Sequence, residues 1–211
     1  MKKTKTIRTI AFIAVAIFLA YQSVYFRKLS VVKSGTGNSF DPAAYAKGIW
    51  ESKMPGKIDS AISLPDLMQA ITNNPDSGFE ELTNALAIGN YRYALVKLTG
   101  TVKQVGEDDC LISTQVADSA LDLKLATEFI FGNAIRDASG LVSVLDFPNT
   151  DNLNGISESL NKIVRTAILP PFRKNVKVGD KLSMVGALET NMAHIHWQGA
   201  EIIPVRLQMI N

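Results

Sequence analysis

His194 and His196 stand two residues apart in the run His194-Ile195-His196-Trp197. Alternate side chains of an extended chain share a face, so both imidazoles are expected on one side of a short strand, within reach of one metal ion. A metal site needs a third or fourth ligand, and the chain holds two histidines and one cysteine, Cys110. No metal is therefore expected. The indole of Trp197 offers a flat face on which a sugar ring can stack, or else a packing anchor beside the Gln198-Gly199 turn. Arg136-Asp137 joins a planar bidentate donor to an acceptor. That pair can recognise a sugar or a partner protein, or form an internal ion pair that fixes a corner of the fold, and the internal role is the simpler one. Glu107-Asp108-Asp109 lacks the alternating spacing and glycine of a calcium loop and reads as a solvated turn. Cys110 reads as a half-buried, inert thiol. No nucleophile elbow, zincin helix, P-loop or dinucleotide fingerprint occurs, and neither Ser60 nor Ser63 has a visible histidine partner. Neither a cofactor nor an enzymatic activity is expected. A hydrolase using two carboxylates is the weaker alternative, and it would need a cleft that sets them about 5 to 9 Å apart.

The elements that must carry these residues follow from periodicity. Asp41-Pro42 starts a helix, with an N-cap acceptor ahead of a residue already fixed near helical φ; Tyr45, Ile49 and Trp50 share its face and Met54-Pro55-Gly56 stops it. Ser63 with Asp66 starts a second helix bearing Leu67, Met68 and Ile71. Phe79, Leu82 and Leu86 mark a third. After Asn90 the period drops from about 3.6 to 2, the change from helix to strand. Tyr93 to Val105 reads as a long strand bent at Gly100, Leu111 to Val116 as a second, and Leu121, Leu123 and Leu125 as a third. Leu153, Ile156, Leu160, Ile163, Val164 and Ala167 then form a helical stripe, which Pro170-Pro171 is expected to end. Strands at Lys181 to Leu188 and Ile202 to Met209 close the chain, with Pro204 marking a free edge and the histidine run adding a short strand between them. Three strands, a helix and two strands is the order of an α+β, OB-like five-stranded antiparallel barrel with a helix between strands 3 and 4, preceded by small helices and an N-terminal transmembrane helix. A generic α+β sheet is the rival.

Among the 211 residues, positions 1–33 carry seven Lys/Arg and no acid, leaving 15 basic against 20 acidic residues in the other 178, a net −5. An acidic body whose strands lack interleaved basic and aromatic residues excludes a nucleic-acid binder. The 18 residues from Thr9 to Phe26 are apolar apart from Thr9, Gln22 and Ser23. A hydrocarbon core of ~30 Å takes about 20 helical residues, with a lower limit near 17, so this run is expected to anchor the chain in the inner membrane through residues 9–26. No small-residue cleavage site closes the run, although a cleaved signal peptide would export the body equally. The expected organisation is an anchor with flanks over 1–33, a polar linker over 34–39, and an exported OB-like domain over 40–211 with a helical N-terminal cap at 40–90. The N-terminus is expected in the cytoplasm and the body in the periplasm.

Several blocks in order then resemble one known family, the predicted periplasmic lipoproteins of domain of unknown function 2291. They are Phe40-Asp41-Pro42-Ala43-Ala44-Tyr45, Ile49-Trp50-Glu51-Ser52-Lys53, Gly100-Thr101-Val102, Gly132-Asn133-Ala134-Ile135-Arg136-Asp137-Ala138, Asp146-Phe147-Pro148-Asn149, Leu160-Asn161 and Ile203-Pro204-Val205. The resemblance implies an exported, membrane-attached protein, often encoded beside sugar ABC transporters, with no activity established for the family. The family's Phe-Thr-Asn-Gln run stands here as Phe147-Pro148-Asn149-Thr150, so no role for that glutamine carries over. A lipid-bearing cysteine after the apolar run is missing, and a retained helix is expected to replace the lipid. The expected function is a non-catalytic accessory of a sugar ABC transport system, or alternatively a saccharide-binding module. Arg136, Asp137, Asn149, His194, His196 and Trp197 are the candidate contacts.

Overall fold

In the computed structural model, which describes residues 12–15, 18, 19, 21, 40–86, 89–147 and 149–210, the Asp41 carboxylate accepts from the amides of Ala43 and Ala44 and so starts helix α1, Pro42–Ser52. The chain divides into two units, Met1–Phe40 and Asp41–Asn211. Of the first unit, residues 12–15, 18, 19 and 21 are helical. Among the described residues no helix is long and apolar enough to cross a membrane; the expected span over 9–26 falls largely, and the linker over 34–39 wholly, outside them.

The second unit opens with small helices. Met54-Pro55-Gly56 does not stop the helical run but begins α2, Met54–Asp59. Pro55 lies in the first turn, where no helical acceptor awaits its missing N–H. Ile62–Ser63 forms a two-residue strand, β1. The Ser63 hydroxyl accepts from the Asp66 amide and caps α3, Leu64–Asn73. Asn74 in turn caps α4, Pro75–Leu82, which leaves Leu86 outside the helix.

Strands β2 (Tyr91–Val105), β3 (Asp109–Val116) and β4 (Ser119–Ala126) follow as a meander. Strands β5 (Lys181–Asn191) and β6 (Glu201–Ile210) return at the end of the chain. The pairings run β2 to β3, β4, β6 and β5, and β5 pairs back onto β2, so these five strands form a closed circuit. The circuit is not wholly antiparallel, since β4 meets β6 in parallel at Lys124↔Glu201 and Leu125↔Ile202; outside it, β1 joins β2 in parallel. Pro204 lies beyond the β4 pairing and opposite Gly186, where the β5–β6 register shifts.

At Gly186 the sheet tolerates no side chain. A Cβ there would stand 2.5 Å from Ile202 Cγ1 and 2.9 Å from the Ile203 carbonyl oxygen. Gly186→Ala is expected to lower the unfolding free energy by about 1–3 kcal/mol, as overpacking does. Adding Ile202→Val should recover only a small part of that loss in a denaturant titration, because it removes the Cδ1 contact at 2.8 Å and leaves Cγ1 and the Ile203 carbonyl in place.

The connection from β4 to β5 holds α5 (Ala134–Ser139), a 3-10 turn (Val144–Asp146) and α6 (Thr150–Ile163). A π segment at Val164–Ile168 then leads into α7, Leu169–Asn175. Pro170-Pro171 therefore does not end the helix. Both prolines sit in the first turn of α7, where the preceding π register has already interrupted the amide ladder they would otherwise break. The same shift explains why Ala167, expected on the apolar stripe, is exposed, while Leu169 and Phe172 are buried.

One core unites the sheet with the helices. Val96, Ile112, Leu123, Leu125, Leu182 and Ile202 from the strands pack in one cluster with Leu64, Leu67, Ile71 and Phe79 of α3 and α4 and Phe172 of α7.

Candidate functional site

Two cavities share Gly132 and Asn133 as a common wall. The first, ≈ 310 Å³, lies among the start of β2 (Tyr91), the end of β5 (Glu189, Thr190), the turn carrying His194 and His196, the start of β6 (Glu201) and the Phe131–Ala134 segment. The second, ≈ 390 Å³, lies between Asn133 and Arg136 on one side and Asn154, Ser157, Glu158 and Asn161 of α6 on the other.

Register builds the first cavity. The β2–β5 pairing sets Tyr93 opposite Glu189 and Tyr91 opposite Asn191. Tyr93 is buried at 7% exposure. Burial pushes its phenol up to about 12, aided by the charge of Glu189 and a hydrogen bond to it, while a hydrogen bond with Asn133 works the other way. Partial burial likewise raises the Glu201 carboxyl; Asp109 adds to this, Lys124 opposes it and Glu189 contributes a further rise. The Thr190 side chain, 7% exposed, leaves its Oγ1 without a hydrogen-bond partner. Such an orphan is costly unless something supplies the missing bond.

The Tyr93 reading can be checked by absorbance titration. One late tyrosinate step near pH 12 is expected, absent in Tyr93→Phe and moved down in Glu189→Gln. Because the folded pKa lies above the ordinary 10.0, the associated stability is fully present below pH 10 and is lost as pH rises towards 12.

The histidine run is a turn, not a strand. The Gly199 amide donates to the Asp122 carbonyl at 2.8 Å, and the Asp122 amide donates to Gln198 Oε1 at 3.2 Å, so the run is tied back to β4. Both imidazoles line the first cavity. Among the described residues no group of three or more His, Cys, Asp or Glu side chains is placed to hold a metal ion. Trp197 packs against the hydrophobic core instead of facing either cavity.

Arg136 and Asp137 lie on a helix, not on a passage from strand to loop, and all six residues of α5 are buried. Arg136 Nε donates to Asp137 Oδ1 at 2.6 Å, Asn133 Nδ2 donates to the other carboxylate oxygen, and Arg136 Nη1 donates to the Leu153 carbonyl at 3.3 Å. The pair joins β2-facing α5 to α6, and the guanidinium borders the second cavity. Asn149 is elsewhere: its Oδ1 accepts from the Asn152 amide at 3.0 Å and caps α6.

Sequence reasoning passed over Tyr93, Glu189, Thr190, Glu201, Ser157 and Asn161 as site residues. A signal existed for two of them. Ser157 and Asn161 fall four and eight residues after Leu153, within or beside the apolar stripe of α6, and both are buried; polar side chains in that position need partners.

Residues 14–208 match the model of the family described as "Predicted periplasmic lipoprotein (DUF2291)". The chain belongs to this family. That membership makes it an extracytoplasmic, envelope-associated protein of unknown function, and no catalytic family is indicated. A crystal structure of an OB-fold protein from Thermotoga maritima superposes with a TM-score of 0.71 at 23% identity, covering 82% of this chain and 100% of that one. The likeness shows the fold, an OB fold within an α+β body. No match was found among curated proteins. The family's lipid-bearing cysteine has no counterpart in Cys110, which lies 1% exposed on β3 opposite Leu125, its thiol pushed up chiefly by burial.

Proposed function

We propose that this family member binds a small neutral polyhydroxylated ligand, a saccharide, without turning it over. One observation carries the reading: the first cavity presents the Tyr91 and Phe131 rings, each more than half exposed, beside Glu189, Glu201 and two histidines. Aromatic faces with a few convergent polar groups are what a sugar ring requires. The mixed lining does not favour a strongly charged ligand. On this reading the strand circuit closes as a barrel, the apolar segment over 9–26 holds the chain to the inner membrane, and the body samples the periplasm.

Thermal melting of the full chain against a saccharide panel is the test. At ~100-fold excess over Kd a bound sugar should add roughly 2.7 kcal/mol. Tyr91→Ala should weaken that sugar about tenfold, the worth of a lost aromatic stacking face. No shift from any sugar would end the reading.

A second reading, an accessory of a sugar ABC transport system, is favoured by Phe129 and Phe131. Their rings stack at 6.2 Å and 23° while 60% and 64% exposed. Between them Ile130 is fully buried, and Arg165 Nη1 holds its carbonyl at 2.6 Å. The exposed rings are thus presented from a fixed backbone, as protein contact surfaces require. Crosslinking in native membranes should recover a sugar permease or its binding protein, and Phe129→Ser with Phe131→Ser should abolish that recovery.

A further inference from the structure

Nothing so far gives the second cavity a role. Its polar side chains are only partly engaged by the protein. Asn161 Nδ2 donates to the Gly132 carbonyl at 2.9 Å, the Ser157 hydroxyl donates to the Leu153 carbonyl at 3.2 Å, and Asn133 Nδ2 donates to Asp137. Donors and acceptors both remain: the Asn161 nitrogen carries a second N–H, the Arg136 guanidinium spends two of its five on Asp137 and Leu153, and Asn154 adds a whole carboxamide. Asn161, only 2% exposed, leaves its Oδ1 with no partner, and the Ser157 oxygen keeps lone pairs after donating its proton. The charges are balanced: Arg136 is met by Asp137, and Glu158 on the rim is bridged to Arg165. A neutral occupant that both donates and accepts hydrogen bonds suits this lining, which describes hydroxyl groups.

The two cavities have Gly132 and Asn133 in common, and each is near the lower end of the ~300–1,000 Å³ range of ligand pockets. We propose that they are adjoining subsites for one ligand, and that the ligand is a disaccharide or longer glycan whose second unit donates hydroxyls to Asn161 Oδ1 and Ser157 Oγ. This rests on the saccharide reading of the first cavity and adds the size of the ligand to it. Asn133 becomes the positioning residue between the units, held from below by Asp137 and hydrogen-bonded to Tyr93.

Calorimetry on the full chain would compare glucose, galactose and xylose with maltose, lactose and xylobiose. At least one disaccharide is expected to bind about tenfold or more tightly than its monosaccharide, the worth of one or two added hydrogen bonds to buried acceptors. Asn161→Leu and Ser157→Ala should each remove most of that gain and leave the monosaccharide within about twofold. Ser157→Ala deletes only a bond within its own helix, so it carries the test should Asn161→Leu fail to fold. A disaccharide that binds no better than its monosaccharide, or a gain that survives both variants, overturns the two-subsite proposal and leaves the saccharide reading standing. Absence of binding by sugars of either size overturns both.

Discussion

Asp137→Ala is expected to destabilise the body by about 3–5 kcal/mol, the usual cost of leaving one member of a buried ion pair alone. Arg136 and Asp137 are 7% and 1% exposed and in contact at 2.6 Å. Removing the carboxylate strands a guanidinium that still points inward towards the Leu153 carbonyl, and it also takes the acceptor from Asn133 Nδ2. Urea unfolding of the variant should show the loss as a lower midpoint at unchanged slope. The double variant Arg136→Met with Asp137→Leu separates charge from packing, because apolar replacement of a buried pair is often neutral or stabilising. Its stability should return close to that of the parent. Saccharide binding should not return, since Asn133 would have lost its anchor. A double variant as unstable as Asp137→Ala would show that the corner depends on the hydrogen bonds and not on charge balance.

The second large effect is expected at Phe79→Ala, at about 3–5 kcal/mol, as for other fully buried aromatic side chains truncated in a core. Phe79 of α4 is 1% exposed and belongs to the same cluster as Leu123, Leu125 and Leu182 of the strands. Neighbouring Gly78 approaches α3 so closely that a Cβ would stand 2.9 Å from the Ile71 Cα, so α4 has little room to collapse into the void. If the helices before β2 were a separable appendage, Phe79→Ala would leave the main unfolding transition unmoved and add a small early one. A single transition shifted as a whole is the expected result, because one core is shared.

The caps at Asp41 and Ser63 were readable because capping is local: an acceptor side chain and the amides two or three residues on settle it. The strands β2 to β6 were readable because a half-buried strand must alternate. Pro170-Pro171 misled, since a proline's effect depends on whether its amide position was still needed, and the π segment before it is not visible as a pattern. The histidine run misled for a related reason. Its alternation is cut short by bonds to Asp122, some seventy residues earlier in the chain.

The site was legible only in part. His194, His196 and Arg136 were picked by side-chain chemistry and do border cavities, whereas Trp197 and Asn149 went to packing and capping. Thr190, Glu189 and Glu201 are ordinary residues in ordinary strands. What distinguishes them is that β5 pairs with β2 and β6 with β4, which brings them to one rim. The sequence by itself determined the acidic body behind a basic apolar leader, the α+β order of elements, the caps, and membership of an extracytoplasmic family, because each depends on composition or on residues close along the chain. The tertiary structure alone decided which polar atoms were left without partners. That depends on every neighbour a group meets once the strand circuit closes, and Thr190 Oγ1 and Asn161 Oδ1 found none.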